Sequence, residues 1–329
     1  MRKLLLGFAL VLVIFVVAYL HFRHPSRPLG VAYVANRQVI LWSTPAAIRQ
    51  PVVTVDYGDR VEILARVPDQ AEVRTAAGAT GWTSETNLLS ADYWQKTKDL
   101  AYMTAGLPVE ARGYTRVLSN LHVDPRRDAP RIRQLSKGVP VELYERQTAE
   151  VPAPASSPSG SPGAEPSTPQ REDWWLARAE LPNHVTLSGW VLGRFIDLDV
   201  PSPLPDYASA AGMRIVAWYA LNRVPDPSNG SMPQYLVVGT HGPEGQPCDF
   251  TALRVFTWSA KKHRYETAYV DSDVCGKLPV KITPSGPAGN EVAFEFSDLS
   301  QEAAEPRLYF MHETIVKREK TTEEQSLRN

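Results

Sequence analysis

Gly58-Asp59-Arg60-Val61-Glu62-Ile63-Leu64 and Gly138-Val139-Pro140-Val141-Glu142-Leu143-Tyr144 are two versions of one phrase, a glycine turn feeding a strand-forming run. The match continues downstream, where Val73-Arg74 precedes Gly81-Trp82 and Ala177-Arg178 precedes Gly189-Trp190. Gly58 and Trp82 are 24 residues apart, whereas Gly138 and Trp190 are 52 apart. Most of the excess falls between Tyr144 and Arg178, a gap that holds Val151 to Gln170. Those 20 residues include 6 Pro, 5 Ser and 2 Gly. Such a segment buries too little apolar surface to offset its ordering entropy. The reading is an internal duplication whose second copy carries a disordered insert, residues 151–170.

The surroundings agree with a mainly β chain. Short β-rich runs (Val39–Trp42, Val52–Val55, Val61–Leu64, Glu72–Thr75) alternate with turn residues at Tyr57-Gly58-Asp59, Pro68-Asp69 and Ala77-Gly78. One short helix is expected over 91–104, with Tyr93, Thr97, Leu100 and Thr104 on one side and Gly106 as the stop. A third block has expected strands at Met213–Leu221, Gln234–Thr240, Leu253–Trp258, Tyr265–Tyr269, Leu278–Ile282, Glu291–Phe296 and Arg307–Ile315. These read as an antiparallel meander, a small sandwich or propeller-like blades, with Ser259–Lys262 turning one hairpin. Proline, 28 of 329 residues, argues against long helices. With 35 Lys+Arg against 36 Asp+Glu, a generally basic nucleic-acid binder is excluded.

The amino-terminal end is different. Leu4 to Leu20 is 17 residues without a charge, preceded by Arg2 and Lys3. No small-residue cleavage pattern follows it, so it is expected to be an uncleaved signal anchor, with a cleaved signal as the alternative. That reading puts residues 4–20 in a lipid bilayer and the rest of the chain outside the cytoplasm, in the periplasm or at the cell surface. The expected division is a transmembrane segment (1–24), two β domains (31–90 and 113–200) joined by a linker with a short helix (91–112), a C-terminal β domain (208–317) and a flexible tail (318–329).

The duplicated residues resemble the bacterial SH3-like family, whose pattern is an L-x-V-R strand, a G-D-x-V-E-hydrophobic strand, an aromatic-x-x-V-R strand and G-x-x-G-W. Copy one offers Val39–Pro45, Gly58–Leu64 and Gly78–Thr83; copy two offers Leu121-His122-Val123, Gly138–Tyr144, Trp175–Arg178 and Ser188–Val191. Trp42 and Asp124 are placed where the first strand's arginine would stand. The resemblance covers roughly 150 residues. It implies two small barrels of five or six strands that act as binding modules, often for wall peptides. Its aromatic groove makes Trp42, Trp82, Trp174, Trp175 and Trp190 candidate ligand-binding residues, each with a packed-core alternative. Arg126, Arg127, Arg131 and Arg133 form a basic loop that suits an anionic partner, or solvent.

Cys248 and Cys275, the two cysteines of the chain, are 27 residues apart around the expected Leu253–Tyr269 hairpin and are expected to pair. The competing reading is a cysteine-type wall hydrolase, because SH3-like domains often accompany such peptidases. Cys248-Asp249-Phe250-Thr251 lacks their D-C-S-G-type sequence, and the candidate bases His263 and His312 fall in a turn and a strand. Scattered histidines and a short Asp271-Ser272-Asp273 offer no metal site, and no cofactor motif is present. The sequence therefore points to a non-enzymatic envelope protein that binds wall peptide, glycan or a protein partner. The second option is a subunit of a membrane complex that uses the barrels as contacts.

Overall fold

The computed structural model describes residues 27–152, 170–181, 185–285, 291–300 and 305–319. By internal contacts the chain divides into Met1–Trp94 and Gln95–Asn329, a boundary that falls inside helix α1 (Ala91–Gly106). The chain is mainly β, with four antiparallel sheets among the described residues.

The expected membrane anchor is corrected. No helix among the described residues is long and apolar enough to cross a membrane. The transmembrane assignment, and the extracytoplasmic placement that rested on it, are withdrawn. Residues 4–20 lie outside the described residues, as do 153–169 of the expected insert and 320–329 of the expected tail.

In the first unit, β1 (Gly30–Val34), β2 (Gln38–Trp42), β3 (Pro51–Asp56), β4 (Arg60–Val67), β5 (Gln70–Thr75), β6 (Thr80–Ser84) and β7 (Leu88–Ser90) form one sheet in the order β3-β2-β6-β5-β4-β1-β7. Period-two alternation sends Val39, Leu41, Val61, Ile63, Ala71 and Val73 into a single core, while Gln38, Ile40, Gln70 and Glu72 face outward. Gly58 takes φ +86°, a left-handed turn that lets β4 return along β1. Gly81 has a different task. A Cβ there would lie 2.8 Å from Leu41 Cβ and 3.1 Å from the Trp42 carbonyl oxygen, so β6 crosses β2 only because position 81 lacks a side chain.

The second unit repeats this plan. β8 (Ala111–Thr115), β9 (Ser119–His122), β10 (Arg131–Leu135), β11 (Pro140–Glu150), β12 (Arg171–Leu181), β13 (Val185–Leu192) and β14 (Ile196–Leu198) follow the order β10-β9-β13-β12-β11-β8-β14, the same order strand for strand. A 3₁₀ turn precedes the last strand in both copies, at Glu85–Asn87 and Gly193–Phe195. Gly138 repeats the left-handed turn at φ +81°, and Gly189 repeats the close crossing, 3.0 Å from the His122 carbonyl oxygen. Even the bulge recurs, between Ile63 and Ala65 and between Leu143 and Glu145.

The copies differ in the length of one hairpin. β11 and β12 each have 11 residues, against eight in β4 and six in β5. The ladder runs on to Val151, whose N–H donates to the Gln170 carbonyl at 2.8 Å. Beyond this sheet, α2 (Leu204–Ala210) packs Leu204 and Ala208 with Met213, Val237, Phe256 and Tyr265. Two four-stranded meanders follow: β15 (Arg214–Asp226), β16 (Gly230–Thr240), β17 (Ala252–Ser259) and β18 (Arg264–Asp271), then β19 (Gly276–Ser285), β20 (Glu291–Asp298), β21 (Glu305–His312) and β22 (Ile315–Arg318). The expected strand over 307–315 is interrupted, because the chain turns at Glu313, φ +51°. Cys248 and Cys275 form a disulfide around the β17–β18 hairpin.

Gly81→Ala is expected to destabilise the first unit by about 1–3 kcal/mol, because its methyl meets backbone and a packed Cβ. Gly78→Ala, with φ +87° but nothing within 4 Å, is expected to cost about 1–2 kcal/mol from backbone strain alone. Urea unfolding followed by tryptophan fluorescence checks the order; equal values would remove the crossing argument.

Candidate binding groove

The duplication supplies its own control, because one face can be compared residue by residue. Trp42 pairs with Trp82 across β2 and β6, and His122 pairs with Trp190 across β9 and β13. His122, not Asp124, therefore occupies the position of Trp42. The motif match places Asp124 two residues away because β9 has no glycine or tryptophan to answer Trp42 of β2 and fix the register.

In the first barrel this face is open. Trp42 is half-buried and borders a cleft of about 470 Å³ lined also by Asn36, Gln38, Arg49, Asp69, Gln70 and Asn87, and its cross-strand partner Trp82 is half-buried as well. The Arg49 guanidinium lies over the Trp42 ring, its carbon 4.4 Å from the centroid, a cation–π stack. Amides are fixed around it: Asn36 donates to Asn87 Oδ1, Asn87 donates to Thr83 Oγ1 at 3.0 Å, and Gln70 donates to the Pro45 carbonyl at 3.1 Å. An indole shelf, a guanidinium and a ring of amides suit a flat, extended, hydrogen-bonding ligand with a negative group.

In the second barrel the same face is filled. Register places Trp174 where Gln70 stands, Leu176 where Glu72 stands and Leu192 where Ser84 stands. All three are buried, as are Trp190 and His122, whose ring meets Trp174 edge-on at 5.4 Å. Over this face lies α1, through Thr104 Oγ1 and Ser188 Oγ at 2.7 Å and through Lys96 to Asp124. Its buried side is Thr97, Leu100 and Thr104. The loop 123–130 closes the other side, with His122 Nδ1 and the Ala129 carbonyl 2.8 Å apart. Burial holds His122 below the usual imidazole range, only partly offset by that carbonyl.

The sequence-derived residues thus separate. Trp42 lines the groove and Trp82 is its half-buried cross-strand partner; Trp174, Trp175 and Trp190 are core. Of the basic loop, Arg127 is bound to the buried Glu172 carboxylate at 2.7 Å, and Arg126 faces Asp128 at 3.6 Å. Burial pushes Glu172 up, but the Arg127 and Arg194 hydrogen bonds outweigh it and hold the carboxyl below its ordinary value. Arg131 and Arg133 are half-buried on β10. No anion-binding cluster results. A larger cleft of about 720 Å³ in the second unit is lined by Arg116, Arg194 and Arg214, each paired to a carboxylate. Both cysteine sulfurs are in the disulfide, so neither is a thiolate here. His263 sits at φ +50° in a hairpin turn, and His312 contacts Glu291. Among the described residues no metal-holding cluster is present.

Sequence reasoning missed a second polar constellation, where the long hairpin of the second barrel meets the meanders. The Arg146 side chain, 4% exposed, donates to Asp173 at 2.5 Å, to Asp249 at 2.9 Å and to the Cys248 and Gln246 carbonyls at 3.1 Å. Asp249 also accepts from Lys277 Nζ at 3.0 Å and from the Leu278 N–H at 2.9 Å. Nearby, the Tyr219 hydroxyl donates to Glu110 at 2.9 Å. Burial pushes the Glu110 carboxyl up to about 7; the Tyr219 hydrogen bond offsets part of this and the Asp249 charge adds to it. No signal in the sequence singles out Arg146 and Asp173, because their strands also carry Glu142, Glu145, Glu150, Arg171, Glu172, Arg178 and Glu180.

No family model matches the sequence. No curated protein matches it either. Among solved structures, 89% of the chain is similar to NlpC2 from Trichomonas vaginalis, covering 97% of that chain at 10% identity and a TM-score of 0.18. An NlpC/P60 family protein from Bacillus cereus ATCC 10987 matches 88% of the chain and is covered to 98%, at 11% identity and a TM-score of 0.21. NlpC1 from Trichomonas vaginalis gives 86%, 92%, 9% and 0.18 in the same order. Likeness at these TM-scores carries no argument about fold or activity.

Glu110 has a folded-state pKa of about 7 against an ordinary 4.5. The folded state then binds the extra proton, so this contribution is complete below about pH 4.5 and is lost as pH rises toward 7. Between those limits the wild type should lose about 2 kcal/mol relative to Glu110→Gln, allowing for partial solvent screening. Thermal unfolding of both proteins across that range measures the difference; parallel curves would remove Glu110 from the account.

Proposed function

We propose that the protein is a non-enzymatic binding protein whose first barrel, SH3-like in character, holds an extended peptide of the cell-wall type in the groove at Trp42. The observation that carries this reading is the contrast between the two copies. The same face is open and lined by amides, indole and guanidinium in the first barrel, and filled by tryptophan and leucine in the second. A duplicated module that keeps one aromatic face uncovered retains the use of that face; the other copy has exchanged it for packing.

The groove explains the ligand class. A peptide offers backbone amides to Asn36, Gln38, Gln70 and Asn87, and a carboxylate to Arg49, whose planar N–H edges remain available above the indole. No nucleophile, base or cofactor is required by such a site. The Trp42 ring supplies area at low entropy cost, which is why aromatic residues dominate contact energies.

Muropeptides released from purified sacculus, titrated against the full chain with tryptophan fluorescence and calorimetry, test the proposal. Trp42→Ala should weaken binding about 10-fold or more while leaving thermal unfolding nearly unchanged, since Trp42 is half-buried at the surface. His122→Ala, at the equivalent filled position, should lower stability and leave affinity as it was. Equal muropeptide affinity in wild type and Trp42→Ala would sink the reading.

A further inference from the structure

Strand β3 ends its sheet, with β2 as its one strand partner among the described residues. Pro51, Val52, Thr54 and Asp56 are exposed along it. From Pro51 to Val55 the sequence is Pro-Val-Val-Thr-Val, with no charge and four consecutive β-branched residues. A free edge of this kind presents unpaired N–H and C=O groups to any other strand, and proteins normally guard such edges with charged side chains, bulges or proline. Here Pro51 and the bulge at Val52 guard one end and Asp56 marks the other, which leaves Val53 to Val55 without a charge.

The duplicated barrel shows what a guarded version looks like. Register aligns β10 with β3 residue for residue through the same bulge, so Arg131 stands at the position of Pro51 and Arg133 at that of Val53. The bulged residue differs as well: Ile132 is fully buried, whereas Val52 is 47% exposed. Apolar exposure continues around the first edge, at Ile40 (42%) on β2 and at Ile48 (94%) in the loop leading into β3. Edge and flank together make an uncovered sticky strip that the second copy lacks.

We propose that β3 is a docking edge for a second copy of this chain, paired antiparallel with its own counterpart. Charge decides the occupant and the direction. Arg49 lies just before the strand and Asp56 ends it. Antiparallel self-pairing brings each Arg49 to the other copy's Asp56 end, whereas parallel pairing would set like charges together. The strand between is uncharged and β-branched, so it meets itself without repulsion. The Arg49 guanidinium lies face-down on Trp42, which leaves its N–H edges able to donate to a carboxylate beside it. Such a dimer would tie assembly to the groove, since Arg49 serves both.

Sedimentation velocity of the full chain over a range of micromolar concentrations tests this. The wild type should show a concentration-dependent dimer. Thr54→Lys, which puts a charge at the outward centre of the edge, should raise the dimer dissociation constant at least tenfold. Gln134→Lys, at the matching position of β10, should leave it unchanged. Arg49→Asp and Asp56→Arg should each weaken the dimer, and the double variant should restore it; circular dichroism verifies that all fold. A wild type that stays monomeric throughout would overturn the proposal, as would a Thr54→Lys variant that dimerises like the wild type. A double variant no better than either single one would overturn the antiparallel Arg49–Asp56 pairing. Muropeptide titration of Thr54→Lys keeps this separate from the groove, because binding can persist while the dimer is lost.

Discussion

One buried guanidinium organises the second unit. Arg146 is almost wholly out of water, and its hydrogen bonds run to two carboxylates and two carbonyls. Removing a cation from water costs several kcal/mol, and only near-complete satisfaction by opposite charge offsets that. Asp173 comes from the neighbouring strand of the barrel and Asp249 from the loop before β17, so the charge is satisfied only when barrel and meander lie together. The equivalent residue of the first copy, by register, is Arg66, which forms an exposed ion pair with Glu85. An exposed pair contributes little. One arginine at one position is therefore trivial in one copy and structural in the other, and the long hairpin makes the difference.

That contrast extends to function. The first barrel keeps polar residues on its outer face, and the cleft at Trp42 results. The second replaces Gln70, Glu72 and Ser84 by Trp174, Leu176 and Leu192, which then have to be covered. Helix α1 and the loop 123–130 do so. Both copies have the same strand order, left-handed glycine, glycine crossing and bulge. What differs is which side chains stand on one face, and this determines which copy keeps an open cleft there.

Much of the architecture was legible because it is written in local rules. The glycine turns, the alternating strands, the helix face at Thr97, Leu100 and Thr104, and the cysteine pair each depend on residues close in sequence or on simple elimination. Exposure was not legible. Gly81-Trp82 and Gly189-Trp190 are identical as motifs, yet one indole is half-buried and the other buried, because burial depends on what packs above it. The Arg146 constellation was hidden for a related reason, since Asp249 lies 103 residues away and no periodicity connects them. The amino-terminal apolar run invited a membrane reading on hydropathy alone. Among the described residues no helix supplies a span.

The disulfide belongs to the same chain of dependence as Arg146. Cys248 offers its carbonyl to Arg146, Asp249 follows directly, and Phe250 then packs against Gly276, the residue after Cys275. A Cβ at position 276 would lie 2.1 Å from the Phe250 ring, so glycine is required for that contact. The bridge thus holds together two segments that converge on Asp249, since Lys277 and the Leu278 N–H bind the same carboxylate. In this setting the cysteines serve position rather than reactivity. They limit the freedom of the loop that presents Asp249, and Asp249 allows Arg146 to be buried. Burial of Arg146 in turn joins the long β11–β12 hairpin to the meander that follows it.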